Sequence, residues 1–555
     1  MATTDIRRSR RSAAQLHALA SVEREIRATD PTVGRKYLRD YRDAYNSYRK
    51  VLTGAEVCSA VAHAGIALIG DYHALPNSQR YLASLIRDPE LRRRPLVLGL
   101  ETVFSRDQHI VDEWFRGEIE ESELRQRIRF DFDWGYDWTP FYELLTAARN
   151  HAAGLYGLDC MPREDMRKIG ARDRHAAGKL AEIRARHPEA LVLALFGESH
   201  LAPLHLPAQV HARLPQEPLL TVLQNVDALY WHAAGEASDR VEAVEVRDQV
   251  LCVFNATPLE KYENYRLCLD RWGRDGAPDL APTIYNLIDS LVRVLGINQY
   301  SPHNTTQPRL LVDLMPEVYS RRSDALLRRL LSRKRFRGEL RHTLLDRVQE
   351  RGSSYLAPLN VVYVRKFQMM SAAEDAARFL HQACRGLPNR INGHAPASLA
   401  AEDAFYVAVL EQAIAYFGTR VLYPARPAFR DADLLELYEL TREDLEEQTA
   451  LPYIDAVDAI DCLVALRDPE ESGQTRGKSR ESARPAPELM RALAFAGRKN
   501  GYVTEQLGNL LGNDLYDAYL DGRVTPAALR KLFLAHIEEP GAARETYLHL
   551  ATRLR

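Results

Sequence analysis

Cysteine is scarce in this chain and follows no pattern. Six cysteines in 555 residues stand at positions 58, 160, 252, 268, 384 and 462. They include no Cys-x-x-Cys pair and no dense disulfide spacing, so a reduced, cytoplasmic setting is the simplest expectation. Long apolar runs are missing as well, and with them any stretch able to span a bilayer. The basic start, Met1 to Arg11, is followed by a segment without the uninterrupted apolar core of a signal peptide. Neither sign of charge dominates: 74 Lys and Arg against 76 Asp and Glu leave a formal charge of -2. No global pull toward nucleic acid or a membrane surface follows. Also absent are a Walker loop, a Gly-x-Ser-x-Gly elbow, a His-Glu-x-x-His pair and a Rossmann Gly-x-Gly-x-x-Gly turn.

What is present fits a globular chain of two or three domains, with 46% hydrophobic and 27% charged residues. Three short apolar runs, 64–69, 95–100 and 190–196, are bounded by turn signals and read as strands buried on both faces. From 64 to about 255 such runs alternate with amphipathic helices. The later strand candidates are 219–223, 241–246 and 250–254, the last two joined as a hairpin. This alternation predicts an α/β fold with a mostly parallel sheet flanked by helices. A helical N-terminal segment, with residues 12–57 reading as helix broken at Pro31 after a Thr29-Asp30 cap, precedes it, and a largely α-helical C-terminal region follows. The expected organisation is 1–60 helical, 61–256 the α/β domain, 257–368 a mixed connection and 369–555 helical. Strands are expected at 308–313 and 355–364, and a flexible linker near 473–487.

Two of the apolar runs end in the same short motif. Gly70-Asp71-Tyr72-His73 follows the first and Gly197-Glu198-Ser199-His200 the last, each glycine letting the chain turn off its strand. The middle run stops at Glu101. In open α/β sheets, chemistry sits at the carboxyl ends of the strands. Parallel strands would therefore bring His73, Glu101 and His200 to one edge. Two imidazoles and a carboxylate can hold a divalent metal with a position open for water. They can also perform acid–base catalysis without metal, or ligate haem iron through His73, His200 or Tyr72. Against these stand plainer roles, the histidines as helix caps and Tyr72 as an aromatic wall.

Other candidates carry similar alternatives. Asp159 ends a fourth strand and reads either as a cleft residue or as a helix cap. Arg172-Asp173 is either an anion-holding pair or a solvated surface pair. The aromatic tract Phe130 to Trp138 either lines the cleft or packs a loop on the sheet. Arg328 to Arg341 and the aromatic stripe of 401–417 read as a solvated helix face and as core.

Taken in order, these motifs resemble the ChaN-like haem-binding domain family, related to the Tiki/TraB proteases and the erythromycin esterases. The similar features run from Ile66 to about Leu206. They are Gly70 to His73 with Gln79, Leu98 to Glu101 with Phe104 and Gln108, Phe132 to Trp138 leading into Pro140, and Phe196 to His200 with Pro207. The chain departs from the pattern at Asp71, where the first motif usually carries glutamate. The resemblance implies an α/β sheet with both histidines and the glutamate in one cleft. ChaN-like proteins are implicated in haem or iron handling, Tiki-type proteins are metal-dependent proteases, and the esterases use a histidine base without metal. The leading expectation is thus a ChaN-like protein binding haem or a metal ion at the strand ends. The alternative is a hydrolase of esterase or peptidase type using His73, Glu101 and His200, with or without a divalent metal. The expected partners are a small-molecule ligand or cofactor and a second copy of the chain, with no nucleic acid and no membrane span.

Overall fold

The computed structural model describes residues 3–30, 36–160, 169–237, 240–273, 278–297, 315–320, 324–332, 339–385, 399–447, 451–467, 492–493 and 498–554. The chain divides into two compact units, Leu19–Pro278 and Met1–Ala18 with Asp279–Arg555. Among the described residues no helix is long and apolar enough to cross a membrane. None of the six cysteines is in a disulfide.

The unit Leu19–Pro278 is built on an eight-stranded sheet. Its strands are β1 (Lys50–Leu52), β2 (Ile66–Asp71), β3 (Leu96–Phe104), β4 (Gly154–Asp159), β5 (Leu191–Gly197), β6 (Leu219–Gln224), β7 (Ala243–Arg247) and β8 (Val250–Val253). Their order is β1-β7-β8-β6-β2-β5-β3-β4. The pairs β8–β6, β6–β2, β2–β5, β5–β3 and β3–β4 are parallel, while β7 runs against both β1 and β8. The mostly parallel sheet and the closing hairpin are as the sequence predicts. The short strand β1 is not. It lies where the second of two helices is expected, and its three residues are too few to show alternation beside strong helical neighbours.

The central strands carry apolar residues at every position because both faces are covered. Ala67 and Ile69 of β2, with Leu193 and Leu195 of β5, enter the layer under helices Pro76–Arg87 and Trp138–His151. Ile66 and Leu68, with Val192, Ala194 and Phe196, enter the opposite layer under helices Ile169–Arg186 and Leu206–Arg213. A period of two with both phases apolar gives this result.

The other unit is mainly helical, with a small sheet of β9 (Glu317–Ser320), β10 (Ser353–Leu356) and β11 (Val361–Val364). The run expected as one strand at 355–364 is a hairpin instead. Asn360 has φ of 52° and turns the chain there. Helix Ala401–Leu422 packs on helix Arg498–Leu520. At Gly508 and Gly512 any Cβ would come within 2.7 Å of Val409 or Ala413 carbonyl oxygens, so only glycine permits this approach. Phe405, Tyr406, Tyr416 and Phe417 are buried, as core. The strand expected at 308–313 and the linker near 473–487 lie outside the described residues.

Candidate functional site

Strands β2 and β5 pair in register to their last residues, Asp71 opposite Gly197, so the two histidine motifs leave the sheet side by side. Strand β3 lies on the other side of β5 and does not stop at Glu101, as its apolar run suggests, but continues to Phe104. Its register against β4 shifts between Leu100 and Phe104. Irregularities of this kind re-aim a side chain. Here the Glu101 carboxylate reaches β5 and accepts from the Gly197 N–H at 2.5 Å.

The structure brings His73, Glu101 and His200 together. His73 Nε2 lies 3.6 Å from Glu101 Oε2 and His200 Nε2 lies 3.7 Å from Glu101 Oε1. Each imidazole is also tied at its other nitrogen. His73 Nδ1 is 2.7 Å from Asp71 Oδ2, and His200 Nδ1 is 2.5 Å from Asp173 Oδ1. A carboxylate oxygen can only accept, so each Nδ1 carries a proton and each Nε2 faces Glu101. Gln79 holds Asp71 from behind, and the Tyr37 hydroxyl donates to Asp173.

Arg172 completes the centre. Its guanidinium donates to Asp159 at 2.9 and 2.6 Å and to Glu101 at 2.5 Å. Burial pushes the Glu101 carboxyl up, but Arg172, His200, His73 and the Gly197 N–H outweigh it and hold the group at about 2. Burial raises Asp159 despite the same arginine. Arg172 is 4% exposed and Asp173 1% exposed, so the surface reading of that pair is overturned. Asp159 is likewise a buried partner of the centre.

The turn expected of the two motif glycines is not what they provide. Neither Gly70 nor Gly197 has positive φ, so no special turn requires them. Gly197 is there for space. A Cβ at that position would stand 3.0 Å from Glu101 Oε2 and 3.4 Å from both His200 Cδ2 and His73 Nε2. Gly197→Ala is therefore expected to fold but to spread the three groups, weakening whatever ligand they hold by about tenfold or more. Unchanged ligand affinity or turnover in that variant would show that the three side chains do not act together.

The aromatic tract splits its roles. Trp134 and Tyr136 place their rings 5.3 Å from His73, while Phe130 and Trp138 pack in the core and Phe132 is exposed. Tyr72 borders the site as a wall, its ring under the Lys261 ammonium at 4.7 Å. Tyr37 stacks on His205 at 3.5 Å and meets the His200 ring edge-on at 5.6 Å. Sequence reading missed Tyr37, His205 and Lys261, which sit in helical or loop segments with no motif of their own. Lys261 is buried and donates to Glu198 at 2.9 Å. Between His73, Glu101 and His200 lies a cavity of about 150 Å³. A wider one of about 420 Å³ shares Leu38, Tyr72, Glu198 and Tyr265 with it as walls.

The unit Leu19–Pro278 is thus an α/β domain with a His–Glu–His centre at the carboxyl ends of adjacent parallel strands. Residues 57–192 match the family described as "Haem-binding uptake, Tiki superfamily, ChaN". His73, Glu101 and Arg172 fall inside the match and His200 just beyond it. Among solved structures, "Cofacial heme binding to ChaN of Campylobacter jejuni" is 14% identical, with 36% of this chain and 92% of that chain covered and a TM-score of 0.27. No curated protein matches the chain.

Proposed function

We propose that the strand-end centre is an acid–base site for hydrolysis of an ester-type bond. One observation carries this reading: two imidazoles, each fixed by its own carboxylate, present Nε2 to a single buried, ionised glutamate. A base fixed by an orienting partner is the arrangement that general-base catalysis needs. A proton shared by the two rings leaves one imidazole and one imidazolium. The neutral ring accepts a proton from water as the water oxygen attacks the carbonyl carbon. The charged ring returns a proton to the departing oxygen. Glu101 stabilises the imidazolium in either position, and Arg172 with the Gly197 N–H keeps Glu101 from taking the proton itself.

Haem, the ligand named for the family, fits this chamber poorly. The space between the histidines, 150 Å³, is about half the lower limit of roughly 300 Å³ for sites that enclose a drug-sized ligand, and the adjoining 420 Å³ cavity has four acidic residues in its wall to oppose haem's carboxylates. Burial and nearby acidic groups also raise the Tyr72 phenol, against the phenolate form that ligates iron. A metal held by His73, Glu101 and His200 fits no better. Among the described residues no group of three His, Cys, Asp or Glu side chains is arranged to hold an ion.

Nitrophenyl esters and chromogenic peptides, assayed with the purified protein in excess chelator, test the proposal. Ester turnover that survives the chelator is expected. Turnover lost to chelator and restored by a divalent ion would replace this reading with metal catalysis. A Soret band on haem addition, weakened in the His73→Ala/His200→Ala protein and without ester turnover, would replace it with haem binding.

A further inference from the structure

The wider cavity is not used by the acid–base centre itself. Its volume of about 420 Å³ falls in the range of small-molecule pockets, and five tyrosines line it: Tyr41, Tyr45, Tyr72, Tyr262 and Tyr265. Two polar atoms in this wall make no hydrogen bond, the Tyr41 hydroxyl and Asp227 Oδ1. Tyr41 is only 3% exposed. Buried polar atoms left in this state are uncommon in folded proteins and call for a partner. Asp227 Oδ2 already accepts from the Tyr262 hydroxyl at 2.7 Å, and Lys261 Nζ stays 3.7 Å from Oδ1.

The charges of the wall favour a donor over an anion. Four acidic residues line it, Glu23, Asp30, Glu198 and Asp227. Of the basic ones, Lys261 is held by Glu198 at 2.9 Å and the Asn225 carbonyl at 3.3 Å, and Arg27 by Glu23 at 3.2 Å. Arg42 is largely exposed, and Tyr262, Asp227 and Glu198 beside it hold its guanidinium charged. An arriving carboxylate or phosphate would meet Asp227 and Glu198 with the buried ammonium already paired. A hydroxyl would donate to Asp227 Oδ1 and accept from the Tyr41 O–H, and a protonated amine would donate to either oxygen, while tyrosine faces cover a flat apolar body.

We propose that this cavity is the substrate pocket of the His73–Glu101–His200 centre and takes a flat, mainly apolar molecule bearing a hydroxyl or amino group, not an anion. The assignment rests on the hydrolytic reading above, since the shared walls Tyr72 and Glu198 join the pocket to that centre.

Phenylbutanol, phenylbutylamine and phenylbutyrate share one body and differ in the terminal group. Calorimetric titration of the full chain is expected to give about tenfold or greater preference for the alcohol and amine over the carboxylate. Tyr41→Phe and Asp227→Asn should each reduce that preference. Tyr41→Phe removes a hydroxyl with no protein partner, so its melting temperature should be no lower than that of the parent, which separates lost binding from lost folding. Equal binding of all three probes, binding of none, or an unchanged preference in both variants would overturn the pocket assignment, even if esters are turned over. The expected preference without turnover of any ester would instead overturn the hydrolytic reading and leave the ligand class standing.

Discussion

Replacing Arg172 by methionine is expected to destabilise the α/β unit by about 3–5 kcal/mol, the usual cost of removing one partner from a buried ionic group. The guanidinium is 4% exposed and bridges Glu101 and Asp159, which are themselves 3% and 0% exposed. Methionine fills much of the same space, so the loss is electrostatic and not a cavity effect. Its pH dependence follows from the direction of each shift. In the wild-type protein Glu101 is held at about 2, below its ordinary value of 4.5. A depressed carboxyl contributes stability that is present above its unfolded value and is lost as pH falls through about 2. Without Arg172, burial acts on Glu101 and Asp159 with less opposition, and both carboxyls move upward. The deficit of the variant should therefore be largest near neutral pH and shrink as acid protonates the two groups. Urea titrations of both proteins at pH 7.5 and pH 5 would measure it. An equal deficit at the two pH values would mean that Arg172 matters for packing and not for charge. Arg172→Lys keeps the charge but not the planar fork, so its deficit should be smaller than that of methionine.

Much of this arrangement was legible in the sequence, for reasons that particular residues make clear. The apolar runs of β2, β3 and β5 have hydrophobic side chains in both phases, and only a sheet covered on both faces uses such strands. Once the strands are parallel, His73 and His200 must leave the sheet at the same edge, and they do. Glu101 was found for a reason that is only partly right. The strand does not end there; an irregularity within β3 turns the side chain toward Gly197. The second layer of the centre was much less visible. Asp173 and Arg172 lie on a helix whose charged residues read as a solvated face, and only packing against β4 shows that they are buried. Tyr37 comes from a segment with no strand or motif to place it. Local patterns locate the groups at strand ends, whereas groups delivered by long-range packing leave no periodic trace.

His73→Ala and His200→Ala are each expected to lower ester turnover by about 10²–10⁴-fold, the range for loss of a positioned acid or base. The double variant should be little worse than the weaker single, because the two rings pass one proton between them and act as a unit. Their structural costs should differ. His200 is 3% exposed, with Phe196 edge-on at 4.8 Å and Tyr37 at 5.6 Å, so alanine there opens a void and leaves Asp173 with the Tyr37 hydroxyl. The His73 side chain is 12% exposed, beside Trp134 and Tyr136, and its loss should cost less stability. Comparing turnover with melting temperature in both single variants separates catalysis from folding. The carboxylate partners give a sharper test. Asp71→Asn and Asp173→Asn keep the shape of each contact but let the amide donate, which favours the tautomer with a bare Nδ1. Nitrogen NMR shifts of the two rings should show protonated Nδ1 in the parent protein and a change at the altered histidine in each variant. Turnover should fall with that change while the melting temperature stays close to that of the parent. Rings that already carry their proton on Nε2 in the parent would leave no lone pair facing Glu101. The two histidines would then donate to that carboxylate as fixed structural partners, and the acid–base reading would be lost.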